Sequence, residues 1–152
     1  MSTYRRLIGS VHAVAIDGPA YTFGLILPEA DFAFFDHRSS TPELPSNLLA
    51  APVLFRVAVH KSALSKGRWP KVGKLDVPVE MLQPIPRFMR DALKPGEYSI
   101  YLGGSIKPAS RQQCIGLECM AVWDPEHVES RLSDHYAGKA NVWVEQLALG
   151  EA

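Results

Sequence analysis

The chain has 152 residues, of which 47% are hydrophobic and 21% charged, a composition typical of a globular protein and not of a disordered one. This length is typical of one domain, so we expect a single domain over residues 1–152. Lys+Arg and Asp+Glu both total 16, so no net charge draws nucleic acid or an anionic membrane to the protein. A balanced total still permits one acidic and one basic face that recognise a partner by charge complementarity.

The sequence contains no recognisable targeting or membrane segment. Residues 7–16 include Gly9, Ser10 and His12, which interrupt the apolar run that a secretory signal requires. No run approaches the roughly 20 apolar residues that cross a bilayer. We therefore expect a cytoplasmic protein that binds neither membrane nor nucleic acid.

The cysteines do not predict a disulfide or a metal site. Cys114 and Cys119 lie five residues apart, and reduced thiols are expected in a chain without an export signal. A C-x4-C pair supplies only half of the ligands of a closed zinc site. We expect no metal and no other cofactor.

The N-terminal third predicts β-strands. Partial alternation over 11–16, a turn at Asp17-Gly18-Pro19 and an aromatic and aliphatic run over 21–27 indicate a hairpin. After a reversal at 28–31, the apolar run 32–35 suits a strand buried on at least one face. These segments predict a three-stranded antiparallel meander. The proline-rich stretch 39–52 then indicates a surface connection, with one helical turn around 47–50.

Val53 to His60 is the clearest strand in the sequence, because it is rich in β-branched residues and bounded by Pro52. We expect it at the centre of the sheet. Arg56 points opposite to Phe55 on such a strand, and we expect it to pair with a carboxylate near Glu118 or Asp124.

The middle of the chain predicts loops and one hairpin. Pro70 favours an extended piece or sheet edge over 67–74, and four prolines over 75–95 favour a wrapping loop with one helical turn near 88–92. Gly103-Gly104 between 97–102 and 105–107 is a two-residue hairpin signal, which we expect to return the chain to the sheet.

The strongest prediction is a helix over about residues 125 to 136. A capping Asp124, Pro125 at the first position and a stop at Gly138 mark its ends. Val128, Leu132 and Tyr136 form an apolar stripe that must lie on the sheet. Upstream, Ser110 and Gln113 fit a capping box for a short helical turn. The expected fold class is α+β: a mainly antiparallel sheet, curled toward a small barrel, packed against this C-terminal helix.

Polar residues are most concentrated on and near this helix, which favours a solvated face or a partner surface. His127 and His135 are eight residues apart, unlike the i, i+4 spacing of two zinc-binding histidines. No nucleophile elbow or phosphate-binding loop is present. The alternative is a small hydrolytic enzyme that uses Glu118, Asp124, His127 and His135 around a metal or water. A nucleic-acid-binding small barrel is a third possibility.

Three tryptophans, Trp69, Trp123 and Trp143, each lie beside a polar or charged residue in the sequence. Amphipathic rings of this kind are common at binding surfaces, although core packing is the more frequent place for any one of them.

Several segments together resemble the immunity protein 26 family. The aromatic-x-Gly step at Phe23-Gly24 after Tyr21, the strand 52–57 and a tryptophan near the C-terminus, Trp143, match the family pattern. Further matches are the segments 67–73, 116–118 and 122–129, with Arg131 and residues 134–136. The chain is more apolar than the pattern at 114–116 and 119–120, which predicts a packing or surface variation there.

The resemblance implies a cytoplasmic, non-catalytic protein of a bacterial polymorphic toxin system that binds and blocks a cognate toxin domain. Aromatic and charged groups supply anchors and specificity in such contacts. The predicted contact residues are Trp69, Glu118, Trp123, Asp124, His127, Arg131, Asp134 and His135.

Overall fold

A computed structural model describes residues 7–65 and 67–149. In it the chain forms two β-sheets with helices packed against them. The strands are β1 (Ser10–Ile16), β2 (Ala20–Ile26), β3 (Asp31–Phe35), β4 (Val53–Val59), β5 (Lys71–Lys74), β6 (Arg87–Arg90), β7 (Tyr98–Leu102), β8 (Ser105–Ala109), β9 (Glu118–Cys119) and β10 (Val122–Trp123). The helices are α1 (Ser62–Ser65), α2 (Arg111–Cys114), α3 (Pro125–Ala137) and α4 (Val142–Leu147), with 3-10 turns at Pro28–Ala30, Leu48–Ala50 and Val79–Leu82.

The first sheet confirms the predicted meander. Its six strands lie in the order β10-β4-β3-β2-β1-β5, and β1, β2, β3 and β4 pair antiparallel in sequence. The prediction that β4 lies at the centre is wrong, because β4 is second from the edge and pairs on its outer side with the short parallel strand β10. The middle strands are β2 and β3. The order of the described strands is open at both ends, so the sheet does not close into a barrel.

Both faces of the first sheet are buried. One face carries Phe32 and Phe34 and packs against α3, and the other carries Ala33 and Phe35 and packs under the loop segments that hold Leu44, Leu75 and Val77. Since successive side chains of a strand point to opposite faces, a strand in this position must be apolar throughout. This burial explains the uninterrupted run over Phe32–Phe35.

Helix α3 begins and ends where the sequence predicts. Pro125 occupies its first turn, and Gly138 ends it in the left-handed conformation with φ 69°. Val128 and Leu132 are fully buried in the core below the helix, so the α+β class is confirmed. The expected side-chain cap is absent: Asp124 occupies the N-cap position but accepts no capping hydrogen bond, and its carboxylate lies 3.8 Å from His127 Nδ1.

The second sheet has the order β8-β7-β6-β9. The predicted hairpin is confirmed, with Leu102 opposite Ser105 and both Gly103 and Gly104 at positive φ, as a two-residue turn of this kind requires. It builds this separate sheet and does not return to the first. The helical turn predicted near 88–92 is wrong, because Arg87–Arg90 forms strand β6 between β7 and β9; long-range pairing overrides the local proline signals.

A buried ion cluster joins the two sheets. Asp31 Oδ2 accepts from Arg87 Nη2 over 2.7 Å and from Arg56 Nη2 over 3.3 Å. The three side chains are only 10% to 11% exposed. Arg56 therefore pairs with Asp31 and not, as predicted, with a carboxylate near Glu118 or Asp124. The partners are 25 and 56 residues apart in sequence, so no local spacing signals the cluster.

Candidate functional site

One face of the second sheet lies against helix α2 and the end of α4. Directly paired residues of an antiparallel sheet share a face, and the register pairs Phe88 with Ile100 and Ile100 with Lys107. Helix α2 lies across this face with Cys114 fully buried beneath it. Its start is the predicted capping box, with the Ser110 hydroxyl accepting from Gln113 N and the Gln113 side chain accepting from Ser110 N. We call the surface formed by α2 and by the sheet face that carries Phe88, Ile100 and Lys107 the α2 face.

Two grooves flank α2 on this face. The C-terminal groove has a volume of about 440 Å³ and lies between α2, α3 and α4. Its apolar wall includes Phe88, Ile115, Leu117, Trp123, Val144 and Leu147, and its charged residues are Arg111, Glu118 and Arg131. Ile115, in the segment predicted as a surface or packing variation, is 59% exposed. A groove of this shape presents apolar surface to an incoming side chain.

The hairpin groove lies on the other side of α2. It also has a volume of about 440 Å³ and is lined by Ile100, Leu102, Ser105, Lys107, Pro108, Ala109 and Gln113. Leu102 is 44% exposed. The two grooves therefore expose Leu102 on the hairpin side of α2 and Ile115 on its C-terminal side.

An ion pair is fixed in the C-terminal groove. Arg131 on α3 donates to both carboxylate oxygens of Glu118 on β9, over 2.6 Å and 3.3 Å. The guanidinium carbon of Arg131 also lies 3.7 Å from the ring centre of Phe55 and 5.2 Å from that of Trp123. The two hydrogen bonds to Glu118 and the two aromatic rings together hold the Arg131 guanidinium in place. The groove therefore carries a preorganised ion pair on an apolar wall.

Two of the predicted contact residues are core residues. Trp69 is 1% exposed and Trp123 is 4% exposed. The ring of Trp69 packs edge-on against Phe32 and Phe34, and Trp123 belongs to the same buried cluster. Apolar packing places both rings largely inside the protein, although Trp123 also lines the C-terminal groove, so direct contact with a partner stays a prediction for these two residues.

His127 and Asp134 hold α4 against α3. The His127 ring stacks on Trp143 with centroids 3.6 Å apart. Asp134 Oδ2 accepts from Asn141 Nδ2 over 2.9 Å, while Asn141 Oδ1 caps the start of α4. These contacts position α4 as one wall of the C-terminal groove.

Asp124, Arg131 and His135 follow one stripe along α3. Positions seven and eleven residues after Asp124 return to nearly the same side of a helix, but the rise between Asp124 and His135 is about 16 Å. Glu118 is bound to Arg131, and His135 packs against Tyr136. The structure therefore does not bring Glu118, Asp124, His127 and His135 together. The described residues contain no group of three or more His, Cys, Asp or Glu side chains placed to hold a metal ion.

Both cysteines are free. Burial raises the pKa of the Cys114 thiol, and burial is also the main cause that raises the pKa of Cys119, where Arg90 acts in the opposite direction and Glu118 adds to the rise. A thiol with a raised pKa stays protonated at neutral pH and is a poor nucleophile.

Sequence reasoning missed the α2 face. Its main signal was nonetheless present, because the predicted hairpin and strand alternation together place Ile100, Leu102 and Lys107 on one side. The contributions of Phe88 and Ile115 depend on the unpredicted strand β6 and on the position of α2, which no local pattern gives.

A comparison with family models matches the chain to immunity protein 26 over residues 8–99. No curated protein and no solved structure matches it significantly. Within the described part of the chain, every helix is too short or too polar to span a membrane. Because the match covers more than half of the sequence, the chain belongs to the immunity protein 26 family, and this membership implies that it neutralises a toxin.

Proposed function

We propose that this protein, acting as a single domain in the cytoplasm, neutralises the cognate toxin domain of a bacterial polymorphic toxin system by binding it one to one through the α2 face. Family membership supports the toxin as partner. In this mechanism the toxin is inhibited by occlusion, and no catalytic group is required.

The distribution of exposed apolar side chains supports the α2 face as the contact surface. Of the eleven large hydrophobic residues that are exposed in the described ranges, eight lie between Val79 and Val122, in less than a third of the chain. Two of these eight, Leu102 and Ile115, line the two grooves of the α2 face. Large exposed apolar areas rimmed by polar groups mark protein-binding surfaces, and the two grooves offer pockets for anchor side chains.

The six other residues predicted from the sequence remain proposed contacts as well. Glu118 and Arg131 lie in the C-terminal groove, and the α3 residues Asp124, His127, Asp134 and His135 extend the surface along the helix that borders it. The ion pair of Glu118 and Arg131 is only partly exposed, so a toxin that covers it meets charges whose geometry is already fixed, which favours specificity.

Growth rescue tests the proposed function. The wild-type protein is co-expressed with the toxin encoded beside it, together with two variants matched in residue type and exposure. Leu102→Asp places a charge in the hairpin groove, at a residue 44% exposed, and Leu49→Asp places the same charge on the first-sheet side, at a residue 40% exposed. We expect rescue by the wild type and by Leu49→Asp, and loss of rescue with Leu102→Asp although it folds. Equal rescue by both variants contradicts the α2 face as the contact surface.

A further inference from the structure

The α2 face is basic although the chain as a whole is neutral. Of the strand residues that the register places on this face, the charged ones are Arg90 and Lys107. Among the residues that the structure describes, Glu118 is the one carboxylate that lines either groove, and it is already bound by Arg131. The described part of this face therefore carries a positive balance of charge.

Arg90 is held in place by two residues that line the C-terminal groove, Phe88 and Leu147. Its Nη2 donates to the carbonyl oxygen of Leu147 over 2.9 Å, and its guanidinium carbon lies 5.6 Å from the ring centre of Phe88. Two elements, β6 and the end of α4, thus fix one cation next to the apolar wall. A fixed cation beside apolar surface recognises a carboxylate at low conformational cost.

Four acidic side chains line a third groove, which borders α3 beside the β1–β2 turn. This groove has a volume of about 430 Å³ and is lined by Asp17, Glu126, Glu129 and Asp134 and by no basic residue. Three of these carboxylates already have partners, because Glu126 and Glu129 pair with Arg68 and Asp134 accepts from Asn141. Charge is therefore unevenly distributed over the described residues: carboxylates line the groove beside the β1–β2 turn, whereas the α2 face carries Arg90 and Lys107 together with the exposed Leu102 and Ile115.

The outer edge of the second sheet is a poor template for strand addition. Strand β8 is this edge, and it contains Lys107 and Pro108. Proline has no backbone N–H to donate, and lysine and proline on an edge strand oppose pairing with another chain. A partner is therefore expected to contact the face of the sheet through side chains.

From these observations we propose that the toxin surface bound by the α2 face is acidic. It presents Asp or Glu carboxylates to Arg90 and Lys107, around apolar side chains that enter the two grooves. This proposal rests on the proposed function and adds the chemistry of the partner. The carboxylates steer association and set orientation, whereas burial of the apolar side chains sets the lifetime of the complex.

The test measures association kinetics with a catalytically inactive form of the toxin domain identified by growth rescue. Wild type is compared with Lys107→Glu, on the α2 face, and with Lys139→Glu, which makes the same charge change at an exposed residue beyond the end of α3. We expect Lys107→Glu to lower the association rate constant about tenfold at low salt, with the difference shrinking as salt increases. Lys139→Glu is expected to stay within about twofold of wild type.

The outcomes separate this proposal from the proposed function. If wild type binds the toxin tightly, but salt has no effect on association and the two lysine variants behave alike, the acidic partner is excluded while neutralisation by binding stands. If Lys107→Glu binds faster than wild type, the partner surface is basic. If folded wild-type protein does not bind the toxin that it neutralises in cells, both proposals are overturned.

Discussion

The indole Nε1 of Trp69 donates a hydrogen bond to Glu129 Oε2 over 2.9 Å, which joins a core tryptophan to the outer side of helix α3. The same carboxylate accepts two hydrogen bonds from Arg68, each over 2.7 Å. One glutamate thus satisfies the polar atom of a buried ring and orders the loop before β5.

Replacing Glu129 is therefore expected to destabilise the fold. Glu129→Ala leaves the Trp69 indole N–H without its partner and removes the two hydrogen bonds from Arg68. The expected loss is about 1–3 kcal/mol in the free energy of unfolding. Glu126→Ala is the control, because Glu126 is 61% exposed and 3.7 Å from Arg68, and such surface pairs contribute about 0–1 kcal/mol. Chemical denaturation of both variants measures the difference, and equal midpoints contradict this role of Glu129.

The buried cluster of Asp31, Arg56 and Arg87 predicts a larger effect. Asp31→Asn leaves two buried guanidinium groups without their anion, and removing one partner of a buried ion pair costs about 3–5 kcal/mol. The matched change Asp76→Asn, at an exposed aspartate, is expected to stay within about 0.5 kcal/mol of wild type. Thermal and denaturant unfolding measure both variants. An Asp31→Asn protein as stable as the Asp76→Asn protein contradicts the account of how the two sheets are joined.

His12 predicts a pH dependence of stability. Its Nδ1 lies 2.6 Å from the Trp69 carbonyl oxygen, to which it donates. Burial lowers the pKa of His12 from 6.5, the hydrogen bond to Trp69 opposes this shift, and Lys71 adds to it. Because the folded state binds the proton more weakly than the unfolded chain, stability is present above pH 6.5 and is lost as the pH falls toward the lowered pKa.

Unfolding free energies between about pH 8 and pH 5 test this prediction. The wild type should lose more stability on acidification than His12→Asn, which keeps a donor for the Trp69 carbonyl but does not titrate. Parallel pH profiles for the two proteins would show that His12 titrates alike in the folded and unfolded states.

Position 24 in the first sheet has no room for a side chain larger than that of glycine. It lies opposite Phe34 in the β2–β3 register, and a Cβ atom there would be 2.9 Å from Phe34 Cε1 and 3.1 Å from Phe32 Cδ2. Both rings are fully buried, so Gly24→Ala should cost about 1–3 kcal/mol through overpacking. Denaturation measures the loss, and Phe34→Leu in the same background, by making room, should recover part of it. A Gly24→Ala protein as stable as wild type, or a Gly24→Ala protein that Phe34→Leu destabilises further, contradicts this explanation.

The parts of the fold that could be predicted from sequence are those with complete local signals. The β1–β3 meander, the Gly103-Gly104 hairpin and helix α3 each combine a periodic pattern with a turn or stop residue. Strands β9 and β10 have two residues each, and β6 has four, so their existence depends on long-range pairing. Strands this short do not produce a recognisable alternating pattern in the sequence.

The site was only partly predictable for a related reason. The sequence singled out Glu118 and Arg131, which the fold brings within 2.6 Å of each other. It also singled out Trp69 and Trp123 because polar residues stand beside them, but neighbours in sequence do not fix the direction of a ring. The grooves of the α2 face form between segments that lie far apart in the chain, from Phe88 to Leu147, and such surfaces appear only once the fold is known.

Titration of the toxin's activity with this protein tests the central claim most directly. Neutralisation by occlusion predicts that residual activity falls linearly to zero at one molar equivalent of wild-type protein, and that Leu102→Asp moves the curve to much higher concentrations while Leu49→Asp leaves it unchanged. Inactivation by a small fraction of an equivalent, with turnover over time, would contradict binding as the mechanism and would favour an enzyme that modifies or degrades the toxin.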